Sequence, residues 1–278
     1  MTGHSCRPAM GARRCACSAF PLILGLLLLE AAETTCLAQR HLEPNSAPAL
    51  APEAAIKAGR VLVADLLAQQ PDRDSTNVGV LTIRSRDGRR RSLPVRVRAL
   101  VAPTNWVNIY EAWPNSNDSG VVTLTIVHTP SQPNQYRLVD PNSTRETDAH
   151  PQRLLGNDTM IPFAGSDFWV CDLGLEFLHW PEQRVIKQEM RRSQPCDVLE
   201  STNPNPAAGS YARVLCWLQH ESPHGIVQAE AYNSRNELLK DFEPKTLEKV
   251  HGQYEPEKLE IRNRQTRSLS FIEYDLKH

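Results

Sequence analysis

Residues 77–99 read NVGVLTIRSRDGRRRSLPVRVRA, and their pattern decides the fold class. Val78, Val80, Thr82 and Arg84 alternate with Gly79, Leu81 and Ile83, the two-residue period of a strand. Asp87-Gly88 then supplies a tight hairpin turn. On the way back, Leu93, Val95, Val97 and Ala99 form one face, and Pro94, Arg96 and Arg98 the other. Strands joined by so short a link pair antiparallel.

The same texture continues outward. Strands are expected over 105–113, 121–128 and 136–140, each bounded by turn residues. Residues 140–158 are polar and read as a loop. From Ser166-Asp167-Phe168-Trp169 a short helix is expected to run to about Trp180, with Ser166 as its cap and Trp169, Leu173 and Phe177 at i, i+4 and i+8. Strands resume after Pro181 over 184–191, 196–202, 211–220, 225–232, 237–242, 246–250, 259–264 and 269–274. Upstream, Ala54 to Gln70 carries a helical stripe of Ala55, Ile56, Ala58, Val63, Leu66 and Leu67, stopped by Pro71. Residues 39–53, rich in Pro and Ala, read as a flexible linker. Residues 1–38 have the grammar of an export signal: Arg7, Arg13 and Arg14, an apolar run from Ala19 to Leu29, and small residues leading to a cut near Ala38. That run is too short for a span of about 20 residues. The expectation is one mainly β (α+β) domain over 54–278. Its strongly curved antiparallel sheet would form a half-open barrel, capped by an N-terminal helix and a short lid helix.

Composition narrows the function. Lys plus Arg number 31 against 32 for Asp plus Glu, so no basic excess marks a nucleic-acid binder. Glycine is scarce at 13 and proline plentiful at 21, a poor match to glycine-rich nucleotide folds. Beyond the leader only Cys171, Cys196 and Cys216 remain, with no CxxC among them, which excludes a disulfide framework and argues against a cysteine-built zinc site. GxSxG, HExxH and Walker patterns are absent. Cys216, His220 and His224 have helical ligand spacing, but Ser222-Pro223 and Gly225 make that stretch a turn. No catalytic residue, metal or cofactor is therefore expected.

One segment is familiar. Ile161-Pro162-Phe163-Ala164-Gly165-Ser166-Asp167-Phe168-Trp169-Val170-Cys171-Asp172-Leu173 resembles the "GSDF…DL" segment of the outer-membrane lipoprotein-sorting family, LolA-like periplasmic carriers. Gly79-Val80-Leu81-Thr82-Ile83-Arg84, Glu230-Ala231-Tyr232 with Leu238-Leu239-Lys240, and Ile261-Arg262-Asn263-Arg264-Gln265-Thr266 resemble the family's early meander, late hairpin and penultimate strand. The resemblance spans about residues 54–276. It implies a bent sheet holding acyl chains in an apolar cavity, in a periplasmic protein that carries lipid or lipoprotein toward the outer membrane. Other members of the fold sense lipid or act as regulatory scaffolds, and an exported hydrolase with a dispersed site is a third reading.

A carrier of this kind needs apolar walls and a movable lid. The expected walls are Val97, Trp106, Ile109, Trp113, Leu124 and Ile126, and the expected lid is Phe168, Trp169, Leu173 and Phe177. The same residues would also suit an ordinary packed core. Asp172 is a candidate latch to a sheet arginine, although acids near a helix start are favoured by its dipole in any case. Seven arginines lie between Arg84 and Arg98 against the single acid Asp87. Among them Arg89, Arg90, Arg91, Arg96 and Arg98 could contact an anionic surface, or only protect a sheet edge. Expected partners are acyl chains and membrane proteins of lipoprotein export or acceptance, bound by a monomer, with no nucleic acid.

Overall fold

The computed structural model describes residues 50–114, 120–141, 152–250 and 253–276. The expected leader (1–38) and most of the expected linker (39–53) lie outside the described residues. The first helix, α1 (Pro52–Leu67), starts inside that linker stretch, with Pro52 in its first turn and Glu53 favourably placed at the positive end of the dipole.

The strands that follow are β1 (Ser75–Arg84), β2 (Arg90–Val101), β3 (Trp106–Ala112), β4 (Val122–His128), β5 (Gln135–Val139) and β6 (Gln152–Leu154). After an interval come β7 (Glu182–Arg191), β8 (Gln194–Thr202), β9 (Arg213–Gln219), β10 (Ile226–Tyr232), β11 (Leu238–Val250), β12 (Gln253–Asn263) and β13 (Ser268–Tyr274). They form one antiparallel 13-stranded sheet, ordered β6-β5-β4-β3-β2-β1-β13-β12-β11-β10-β9-β8-β7. The sheet is curved and unclosed, with β6 and β7 as its edges. The stretch expected as loop over 140–158 contributes β6, which pairs with β5, and a 3-10 turn at Gly156–Thr159. The stretches expected as separate strands at 237–242 and 246–250 are one strand, β11, whose pairing with β12 slips near Pro244 and Thr246.

This order has a topological consequence. The chain starts at mid-sheet with β1, meanders out to edge β6, and must restart at the opposite edge β7 before meandering back to β13 beside β1. Residues 155–181 therefore have to cross the sheet, and they cross its inner face. Instead of one helix they form α2 (Val170–Leu173) and a 3-10 turn at Glu176–His179. The break lies at Leu175, which is left-handed at φ 49. Gly174 precedes it because a Cβ there would sit 2.3 Å from the Tyr136 hydroxyl oxygen. Outside the sheet gap, Asn157 Nδ2 donates to the Asn205 carbonyl at 2.7 Å and Asn203 Nδ2 donates to Asn157 Oδ1 at 3.0 Å, tying the turn after β6 to the loop after β8.

Packing follows from the crossing. Phe163, Phe168, Val170 and Leu173 enter a core built on β1–β5, β12 and β13, with Leu93, Val97, Leu124 and Ile126. Cys171, Leu175, Phe177, Leu178 and Trp180 enter a second core with Leu62, Val63 and Leu66 of α1 and the inner residues of β7–β11. All three described cysteines are buried free thiols. Helix α1 docks on β7 through Gly59, where a Cβ would lie 2.6 Å from the Arg184 backbone. Gly59→Ala should thus lower the urea midpoint, by about 1–3 kcal/mol of overpacking, although alanine alone favours helix by about 1 kcal/mol. A raised midpoint would show that this contact yields freely.

Candidate functional site

The inner face of β9–β12 is not filled. Ala229 and Ala231 stand on β10 where larger side chains would close the space, and with Leu175, Phe177, Val214, Ile226, Phe242 and Ile261 they line a hollow of about 380 Å³, its mouth included. The space enclosed within it is only about 30 Å³, far below the roughly 300–1,000 Å³ of ligand clefts, so an alkyl chain enters only when the wall moves. Its polar wall is Asp172, Tyr211 and Lys240.

Lys240 sits on β11 opposite Ala231 and Asn263, with only 3% of its side chain exposed. Its ammonium donates to the Asp167 carbonyl at 2.7 Å and to Asp172 Oδ2 at 3.4 Å, and lies 3.5 Å from the centre of the Trp169 ring. Burial pulls its pKa down, and the Asp172 carboxylate opposes that pull. Asp172 also accepts from the Trp169 N–H at 2.7 Å and from the Tyr211 hydroxyl at 3.0 Å. Burial and Asp172 together raise the Tyr211 pKa well above normal, so it stays a donor. Trp169 stacks on Tyr211 at 4.7 Å between centroids. One turn earlier, Ser268 and Ser270 donate to the Asp167 carboxylate at 2.5 and 2.8 Å, and the Asp167 N–H donates to Ser270 Oγ at 2.9 Å. The crossing segment is thus strapped to β11, β13 and the approach to β9 by polar bonds, in surroundings that are otherwise apolar.

The expected residues separate into groups. Asp172 is bonded into the strap, but its cation is a lysine and not an arginine. Phe177 lines the hollow, Trp169 stacks beneath Lys240, and Phe168 and Leu173 are buried in the other core. Val97, Trp106, Leu124 and Ile126 are buried on the inner face, yet none of them borders this hollow. Ile109 and Trp113 are corrected: strand alternation puts 106, 108, 110 and 112 inward, so Ile109 is turned to the other face. Trp113 lies on that outer side, beneath the Arg96 guanidinium at 5.3 Å. Arg96 and Arg98 are ion-paired to Glu111 at 2.8 and 3.3 Å, while Arg89, Arg90 and Arg91 are exposed. Ser166 bonds the Phe163 carbonyl instead of capping a helix. His220 pairs with Asp197 at 2.8 Å, and no His/Cys/Asp/Glu group among the described residues has metal-binding geometry.

Lys240, Tyr211 and the two serines were not singled out by sequence. One signal for Lys240 existed, a lysine inside the apolar run Leu238-Leu239-Lys240.

A second hollow, of about 230 Å³, opens where the β4–β5 turn meets the 3-10 turn of residues 176–179. It is more polar, with His128 stacked on Trp106 at 4.9 Å and His179 across from it. Among the described residues no helix is long and apolar enough to cross a membrane.

A family model described as "Uncharacterized protein" matches residues 114–276. No curated protein matches the sequence. Among solved structures, a DUF1329 family protein from Desulfovibrio piger superposes with a TM-score of 0.63 at 16% identity, over 80% of this chain and 91% of that one. An outer membrane lipoprotein-sorting protein domain from Vibrio parahaemolyticus gives 0.64 at 15%, over 79% and 91%. A LolA superfamily protein from Nitrosomonas europaea gives 0.52 at 15%, over 80% and 91%. At these identities the likeness is one of fold: the curved, half-open sheet is that of the LolA-like proteins.

Proposed function

We propose, for a chain that belongs to the family whose model spans residues 114–276, that it is a non-enzymatic binding protein for the acyl chains of lipid or lipoprotein. It acts in the periplasm, after loss of its leader, as a monomer carrying its cargo toward the outer membrane between export and acceptor proteins. The observation that carries this reading is the apolar hollow beneath a crossing segment held by Lys240, Asp167 and Asp172. An alkyl chain gains about 0.8 kcal/mol per buried CH₂, so a chain of about eight methylenes supplies about 6 kcal/mol. That can offset rupture of a few hydrogen bonds at about 1 kcal/mol each. Such a chain fits only when residues 167–180 lift, opening the hollow toward the first core, which holds Val97, Leu124 and Ile126. Proteins of lipoprotein sorting share this fold, which supports the cargo class.

The test fills the hollow. Ala229→Leu with Ala231→Leu should lower affinity for a fluorescent fatty acid by about tenfold or more, ~1.4 kcal/mol, while a cooperative urea transition, lowered by about 1–3 kcal/mol of overpacking, shows that the fold is kept. Unchanged affinity in a folded double variant would exclude this hollow as the acyl site. Native mass spectrometry of the exported protein, purified without detergent, should show a lipid-sized mass excess that is lost on denaturation.

A further inference from the structure

We infer that the end of the sheet bearing the β1–β2 and β12–β13 turns is a docking surface for the phosphate layer of an anionic phospholipid membrane. The inference rests on the acyl-binding reading for its purpose, but its evidence is separate.

Strand β1 pairs with β2 on one side and β13 on the other, so the two hairpin turns are neighbours. Arg84 and Arg90 face each other directly across β1 and β2. Like charges in that position are destabilising, and no acid lies between them. Arg86, Arg90, Arg91 and, on the second turn, Arg267 are exposed and have no carboxylate partner among the described residues. The nearby acids are spoken for: Asp87 holds Arg89 at 2.6 Å, Glu260 holds Arg262 at 2.9 Å and Asp241 holds Arg264 at 2.5 Å. This sheet end therefore carries cationic surplus on a chain whose formal net charge is −1. Arg96 and Arg98, paired to Glu111 on the outer face, do not belong to it.

The chemistry favours lipid phosphate over an acidic protein. Protein interfaces centre on desolvated aromatic or aliphatic anchors, whereas the exposed residues of these turns are Arg, Asp, Gly, Gln, Thr and Ser. Guanidinium groups on rigid hairpins suit bidentate contact with phosphate oxygens. The rim also borders the strap. A Cβ on Gly165 would lie 3.7 Å from an Arg91 nitrogen, and Ser268, next to Arg267, holds Asp167. Docking by this end brings residues 163–168, the start of the crossing segment, to the lipid surface.

The experiment is vesicle co-sedimentation of the leaderless protein with phosphatidylglycerol-rich and with pure phosphatidylcholine vesicles. Binding is expected only to the anionic vesicles, and high salt should abolish it. Arg86→Gln, Arg90→Gln, Arg91→Gln and Arg267→Gln together should lower the partition constant by at least about a hundredfold, at roughly fivefold per arginine. A control removes equal charge elsewhere by Lys57→Gln, Arg60→Gln, Arg73→Gln and Arg153→Gln, and should stay within severalfold of the parent. Equal losses in the two variants, equal binding to neutral vesicles, or no binding would overturn the inference. Fatty-acid affinity is measured in parallel. Its absence alongside rim-dependent vesicle binding would sink the acyl reading and leave the docking surface standing.

Discussion

Lys240→Met should destabilise the protein by about 3–5 kcal/mol, the usual cost of leaving one partner of a buried ion pair alone. The ammonium is almost wholly buried, so removing it strands the Asp172 carboxylate among Trp169, Tyr211 and the apolar wall. The Asp167 carbonyl loses its 2.7 Å donor at the same time. Asn at 172 can still accept from the Trp169 N–H and the Tyr211 hydroxyl, so Lys240→Met with Asp172→Asn should recover most of the loss. Urea unfolding of the two variants measures the difference. Equal losses would mean that Lys240 acts by packing over the Trp169 ring and not by charge. Function should separate from stability in the double variant. With the strap reduced to neutral bonds, the crossing segment opens more often, and a fatty-acid probe should bind and leave faster at little change in affinity. Unaltered rates in the folded double variant would disconnect the strap from access to the hollow.

The hairpin at 77–99 shows why the sheet was legible. Its period of two, its Asp-Gly turn and its separation of Leu93, Val95 and Val97 from Arg96 and Arg98 are local facts, and the observed burial follows them. Most other strands read the same way. The crossing segment read less well because a helical spacing of Trp169, Leu173 and Phe177 does not reveal that the two cores pull it to opposite sides. The resulting break falls at Leu175, next to Gly174, where the lack of a side chain leaves room for Tyr136. Ile109 and Trp113 suit an apolar wall by residue type, but strand alternation puts them on the face opposite Trp106. Lys240 was hidden for another reason. The register shift between Ala231 and Tyr232 lets both Leu239 and Lys240 be buried, so simple alternation does not mark the lysine as inward-facing. Which arginines are paired could not be read either, since Glu111 reaches Arg96 and Arg98 only through the β2–β3 pairing.

Stability should peak near neutral pH and fall on acidification, because three buried groups beside the second hollow titrate with opposing signs. Burial lowers the pKa of His128 from 6.5 to about 4, which its hydrogen bond with Asn134 only partly offsets, and it does the same to His179. Their contribution is complete above pH 6.5, where the unfolded histidines are also neutral, and is lost as pH falls through 4. It is worth about 3 kcal/mol each. Glu176 works the other way. Burial raises its pKa from 4.5 to about 7, and its Oε2 has no hydrogen-bond partner among the described residues. Its contribution is complete below pH 4.5 and is lost as pH rises through 7, again about 3 kcal/mol. Two histidines against one glutamate leave a net loss of about 3 kcal/mol between pH 6.5 and 4. Glu176→Gln isolates the opposing part. The variant should be about 2–3 kcal/mol more stable than the parent at pH 8, where the parent buries a charge, and no more stable at pH 4, where the parent's carboxyl is neutral. Its acid loss should therefore be steeper. Urea midpoints of both proteins from pH 4 to 8 give the answer, and a gap that does not change with pH would mean that the Glu176 carboxyl reaches solvent. Glu176 opens the 3-10 turn that lies between the two hollows, so its ionisation pushes outward on the same crossing segment that Lys240 and Asp172 hold in.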